Sequence, residues 1–95
     1  MDWKSPENKA FIQAILSLKT ADEARRFLRD LLTEGEIEEF GKRLETARLL
    51  ANKVPYSKIE AQTGLSSTTI ARVAQWLRRG SGGYRLILKR LKKRV

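Results

Sequence analysis

The sequence contains no cysteine and no histidine. Without cysteine there is no disulfide framework and no thiolate nucleophile. Without histidine, the usual zinc ligand sets and the commonest general base are missing as well. The clustered acids Glu34, Glu36, Glu38 and Glu39 have no base or metal-ligating partners and read as helical surface charge, so neither an enzyme nor a cofactor is expected. Apolar runs never exceed a few residues, and Met1-Asp2-Trp3-Lys4 is polar from the start, unlike a secretory signal or a membrane span. A cytoplasmic protein with no membrane partner is expected. Strand signals are equally thin: there is no sustained two-residue alternation and no Asn-Gly or Asp-Gly pair, which leaves an all-α reading.

The remaining scarcity is of acid, and it is confined to one half. Residues 1–54 hold ten Lys/Arg against ten Asp/Glu, while residues 55–95 hold ten Lys/Arg and a single acid, Glu60. The formal net charge of +9 therefore sits wholly in the second half. A neutral half joined to a basic half reads as a scaffold carrying a polyanion-binding surface, with nucleic acid favoured over a membrane surface or an acidic protein. At 95 residues the chain is read as one domain, 1–95, whose core is thin. A small helical chain covers its leftover apolar stripes by pairing with a second copy, so a homodimer is the default expectation.

Six helices announce themselves by their starts. Ser5-Pro6-Glu7 supplies a capping hydroxyl, a first-turn proline and an acid, and Phe11, Ile12, Ile15 and Leu16 follow at helical spacing over about 6–18. Thr20-Ala21-Asp22-Glu23 is a capping box opening a second helix, about 21–32, with Ala24, Phe27, Leu28 and Leu31 as its stripe. Thr33-Glu34-Gly35-Glu36 repeats the box, and Ile37, Phe40, Leu44, Ala47, Leu50 and Ala51 carry a third helix over about 34–52. Its interior Gly41 costs roughly 1 kcal/mol against alanine, which points to close approach by another helix. Pro55 stops this helix. Ser57-Lys58-Ile59-Glu60 reads as a third capping box for a short fourth helix that Gly64 ends, and Ser66 or Ser67 caps a fifth that continues to about Arg79. Gly80-Ser81-Gly82-Gly83 reads as a flexible break before a basic sixth helix over about 84–94.

The segment Tyr56 to Leu77 has the residue types of a helix-turn-helix. Such a unit needs a glycine-like turn, small or apolar residues at the crossing, and a capped second helix whose outer face is free. Ile59, Gly64, Leu65, Ile70 and Val73 fall at the required offsets, although Glu60 stands where a small residue is commonest and Thr63 where an apolar one is. With Ile70, Val73, Ala74 and Leu77 facing inward, Ser67, Thr68, Ala71, Arg72 and Gln75 face outward as candidate base-reading residues. Arginine pairs bidentately with guanine, glutamine with adenine, and alanine or threonine methyls touch thymine methyls. Any capped amphipathic helix has a polar outer face, but this one is free of acids and lies in the basic half. Lys58, Arg78, Arg79, Arg85 and Lys89 are the candidate phosphate contacts. The tail Lys92-Lys93-Arg94 reads equally as a phosphate contact or as solvated charge. Trp3 and Trp76 read as packing residues, since nothing resembles a single-strand binding fold.

Several of these pieces resemble the Trp repressor-like proteins, and more closely their YerC/YecD-type branch of bacterial helix-turn-helix proteins. They are Leu31-Leu32-Thr33 with Glu36 and Arg43, Tyr56-Ser57-Lys58-Ile59-Glu60 with Thr63-Gly64, the run Ser67 to Val73, and Gly82-Gly83-Tyr84-Arg85. The resemblance covers about residues 10–92. It implies a six-helix subunit in which the helices of about 6–52 and 84–94 interlock with a twofold partner, while 56–79 projects as a DNA-reading head. It also implies a ligand pocket at Arg43, Arg72, Val73 and Trp76. The two arginines that would grip tryptophan are kept, but Val73 and Trp76 replace a glycine and a serine and crowd the slot for an indole.

The leading expectation is thus a sequence-specific regulator of transcription, a repressor acting as a homodimer on duplex DNA. The alternative is a module that binds DNA architecturally, without sequence preference, or that holds another protein. Salt and sequence dependence separate the two.

Overall fold

The hydroxyls of Ser5, Thr20, Thr33 and Ser66 each cap a helix in the computed structural model, which describes residues 1–92. The described residues form six helices, α1 (Pro6–Ser17), α2 (Ala21–Leu31), α3 (Glu34–Ala51), α4 (Tyr56–Thr63), α5 (Ser67–Arg79) and α6 (Gly83–Lys92), and no strand. The all-α expectation is met, with helix ends within two residues of those read from sequence. Lys93 and Arg94, placed in the sixth helix from sequence, lie outside the described residues. None of the described helices is long and apolar enough to cross a membrane.

The chain divides into two compact units, the first ending at Ile37 and the second beginning at Glu38. In the first unit, Ser5 Oγ accepts from the Asn8 N–H at 3.2 Å and Pro6 opens α1. Thr20 Oγ1 accepts from the Glu23 N–H at 3.1 Å, and the Glu23 carboxylate accepts from the Lys19 N–H at 2.9 Å. The reach back thus lands one residue before the cap. Thr33 and Glu36 form the box reciprocally, at 3.1 and 3.0 Å. Despite these ends, neither α1 nor α2 buries a single residue, and Leu16 is 77% exposed. Local capping defines these helices; their apolar stripes are left without cover.

The second unit owns the core. Leu49, Ile59 and Ile70 are buried together, with Leu50, Val54 and Leu65 packed against them, and Val73, Ala74, Ala47 and Thr46 are buried as well. Complete burial of an isoleucine is worth roughly 1.5–3 kcal/mol, so Ile59 and Ile70, on the two helices of the turn unit, fix its crossing. Lys53 closes α3 in the left-handed region, at φ 61°, with the Lys53 and Val54 N–H groups donating to Leu50 and Leu49 carbonyls.

Two local expectations are corrected. Ser57-Lys58-Ile59-Glu60 is not a capping box: α4 begins at Tyr56, Pro55 is its N-cap, and no side chain caps it. The Pro55 carbonyl accepts from both Lys58 and Ile59, which starts the helix before Ser57 can flank it. Gly41 marks no close helix approach among the described residues, because a Cβ added there would meet nothing within 4 Å.

Candidate nucleic-acid interface

The turn between α4 and α5 is set by three residues. Gly64 takes a φ of 74°, a left-handed value that glycine adopts without strain. Ser66 caps α5, its hydroxyl accepting from the Thr69 N–H at 3.2 Å. Thr63, at odds with the usual apolar preference, is buried because its hydroxyl is satisfied twice: it donates to the Ile59 carbonyl at 2.7 Å and accepts from the Leu65 N–H at 3.2 Å. A buried hydroxyl with both functions met carries no desolvation penalty and stitches the end of α4 to the turn.

With Ile70, Val73 and Ala74 buried and Leu77 half-buried, Ser67, Thr68, Ala71, Arg72 and Gln75 are all exposed on the opposite side of α5. Ala71, Gln75, Arg78 and Arg79 line a shallow concavity of about 450 Å³. No acid occurs on α5 or α6, and Lys58 is exposed on α4. The structure therefore brings the predicted base-reading residues onto one face and Arg78 and Arg79 beside them.

Two predicted phosphate contacts are placed otherwise. Arg85 turns its guanidinium onto the end of α5, donating from Nε to the Leu77 carbonyl at 2.8 Å and from Nη2 to the Arg78 carbonyl at 3.0 Å. Those are last-turn carbonyls with no partner inside the helix, so Arg85 caps α5 from α6. Lys89 lines a separate groove of about 630 Å³ with Arg48, Asn52 and Leu91.

The four ligand-pocket positions have different surroundings. Arg43 donates to Glu39 at 2.7 Å and lies 5.6 Å over the Phe40 ring, Val73 is wholly buried, and Arg72 is on the outer face of α5. Trp76 is 44% exposed and lines a concavity of about 550 Å³ with Leu44, Tyr84 and Ile87. Burial pushes the Tyr84 phenol up, against the opposing pull of the Arg43 charge. Glu45 is held below the usual carboxylate range by its paired hydrogen bonds from Arg48, both 2.7 Å. Among the described residues no group of three or more acids gathers as metal ligands.

Sequence reasoning missed the Arg85 cap and the Tyr84 wall of the Trp76 concavity, though Gly82-Gly83-Tyr84-Arg85 stood out as a motif. In the linker, Gly80 is required by close approach, because a Cβ there would collide with the Trp76 carbonyl oxygen, and Gly82 needs its φ of 86°.

Residues 7–92 match the family described as Trp repressor protein. An uncharacterised protein of Bacillus subtilis strain 168, YerC, is 42% identical over 89 residues, which cover 94% of this chain and 86% of that one. The crystal structure of a TrpR-like protein from Eubacterium eligens superposes with a TM-score of 0.91 at 39% identity, over 95% of this chain and 93% of the other. A crystal structure from Staphylococcus aureus gives a TM-score of 0.89 at 32% identity, over 97% and 95% of the two chains.

Proposed function

Because the chain belongs to the Trp repressor protein family, we propose that it is a transcriptional repressor which binds a specific duplex DNA site as a homodimer in the cytoplasm. The observation that carries this reading is the acid-free outer face of α5, mounted on a buried inner face and flanked by basic residues. Ser67, Thr68, Ala71, Arg72 and Gln75 read base edges in the major groove, and Lys58, Arg78 and Arg79 contact phosphates. Arg85, whose guanidinium is committed to α5, holds the helix that reads. The helices α1 to α3 and α6 serve dimerisation within a single functional domain, a role supported by the unburied apolar residues of α1 and α2.

Free tryptophan is not the effector. Arg43 is engaged by Glu39, and Val73 and Trp76 bring bulk where an indole would need room. No catalytic role is assigned.

Selection of bound sequences from a random duplex library tests the reading. A twofold protein returns a palindrome, bound at least about a thousandfold tighter than random duplex. Tight, salt-sensitive binding without any preferred sequence would overturn specific regulation in favour of architectural binding. Sedimentation equilibrium at low micromolar concentration should give twice the chain mass, and a folded monomer would overturn the dimer.

A further inference from the structure

Outside the face already described, one more concavity combines unpaired positive charge with a hydroxyl. It measures about 220 Å³ and is lined by Lys53, Tyr56 and Arg78 beside the apolar Leu50, Val54, Ala74 and Leu77. No acid lines it. We propose that Lys53, Tyr56 and Arg78 form a clamp for one backbone phosphate of duplex DNA; the proposal rests on the DNA-binding reading above and extends it to two residues, Lys53 and Tyr56, that nothing else places at the interface.

Three observations converge on it. The first is continuity, because Arg78 also lines the concavity that contains Ala71 and Gln75, so the notch opens beside the reading face of α5. The second is the state of the cations. Arg25, Arg26, Arg29, Arg43 and Arg48 are all held in ion pairs, whereas neither Lys53 nor Arg78 has a carboxylate within reach among the described residues. Unpaired positive charge gathered around a concavity is the electrostatic footprint of an anion.

The third is backbone conformation. Lys53 is the one non-glycine residue with positive φ among those described, at a helix end where glycine or asparagine is the usual occupant. A long cation in that position keeps a local strain that glycine would remove. The charge gives a reason to keep it. The chemistry is complementary: an ammonium acts as a compact point charge, a guanidinium presents a fork, and a phenol donates one hydrogen bond, which together serve the unbridged oxygens of a phosphodiester.

The test is the salt dependence of duplex affinity for the wild type and for Lys53→Gly, Tyr56→Phe and Lys19→Ala, with folding stability measured on each. Lys53→Gly should flatten the slope of log K against log salt by about 0.9, the value of one released counterion. It should at the same time raise the denaturant midpoint, which loss of a structural contact would not do. Tyr56→Phe should weaken binding several-fold at every salt concentration and leave the slope alone, since no charge is removed. Lys19→Ala should behave as the wild type. A wild-type slope in Lys53→Gly, with duplex binding otherwise intact, overturns the clamp and leaves the DNA reading standing. Absence of duplex binding by the wild type overturns both. Titration with inorganic phosphate separates the sources: saturable phosphate binding lost in Lys53→Gly, with an unchanged duplex slope, would assign the notch to free phosphate and overturn the proposal.

Discussion

Replacing Arg85 by alanine removes two hydrogen bonds from a charged donor to the final carbonyls of α5, at 2.8 and 3.0 Å. Each bond contributes about 0.5–1.5 kcal/mol net, and a cation at a helix C-terminus adds roughly 0.3–1 kcal/mol through the helix dipole. The residues are exposed, so water takes over the freed carbonyls and no buried group is orphaned. The lower halves of those ranges apply, and the expected loss is about 1.3–2.7 kcal/mol. For a chain of this size that lowers the melting temperature by roughly 4–8 °C per kcal/mol. Hydrogen exchange should locate the change at the amides of Arg78, Arg79 and Gly80, where the Gly80 N–H closes the helix onto the Trp76 carbonyl at 2.8 Å. Arg85→Lys should recover roughly half, keeping the charge near the dipole but losing the fork. The salt slope of duplex binding should stay where it is, because a capping arginine neutralises no phosphate. Unchanged stability and exchange in Arg85→Ala, or a slope flattened by about 0.9, would refute the cap and return Arg85 to the phosphates.

Arg72→Ala should cost about 1–3 kcal/mol on the selected site and relax its base preference, while Arg79→Ala weakens all duplexes alike; an unchanged sequence logo in Arg72→Ala would remove it from base reading. Calorimetry with millimolar tryptophan should show no saturable binding by the wild type. Binding gained in Trp76→Ser would support the filled slot, and saturable wild-type binding would defeat it. Tyr84, whose phenol burial pushes above its ordinary range, favours the folded state while neutral. Its contribution is fully present below the unfolded value and is lost as pH rises through the folded one, so denaturant midpoints should fall above about pH 10, and fall less in Tyr84→Phe. Equal slopes for both chains would disprove it.

The fold was legible because its helix starts are local. Ser5, Thr20, Thr33 and Ser66 each bond an N–H three residues on, a relation that spacing alone reveals. The outer face of α5 was legible for the same reason, since Ile70, Val73 and Ala74 fix its phase. Ser57 misled because the same spacing recurs two residues after a proline whose own extended backbone opens the helix. Arg85 and Lys53 were beyond local reading. The first reaches carbonyls seven and eight residues back across a turn, and the second is distinguished by a backbone angle that its lysine side chain does not announce.

The bare stripes of α1 and α2 have a consequence for dosage. Phe11, Ile12, Ile15, Leu28 and Leu31 have nothing within their own unit deep enough to bury them. If a second copy supplies that cover, ordering the first third of the chain and meeting a partner become the same event, and apparent stability rises with protomer concentration. Dilution then acts as a denaturant. A cell would set the amount of working regulator by how many chains it makes, with a threshold steeper than simple proportion, before any operator is occupied.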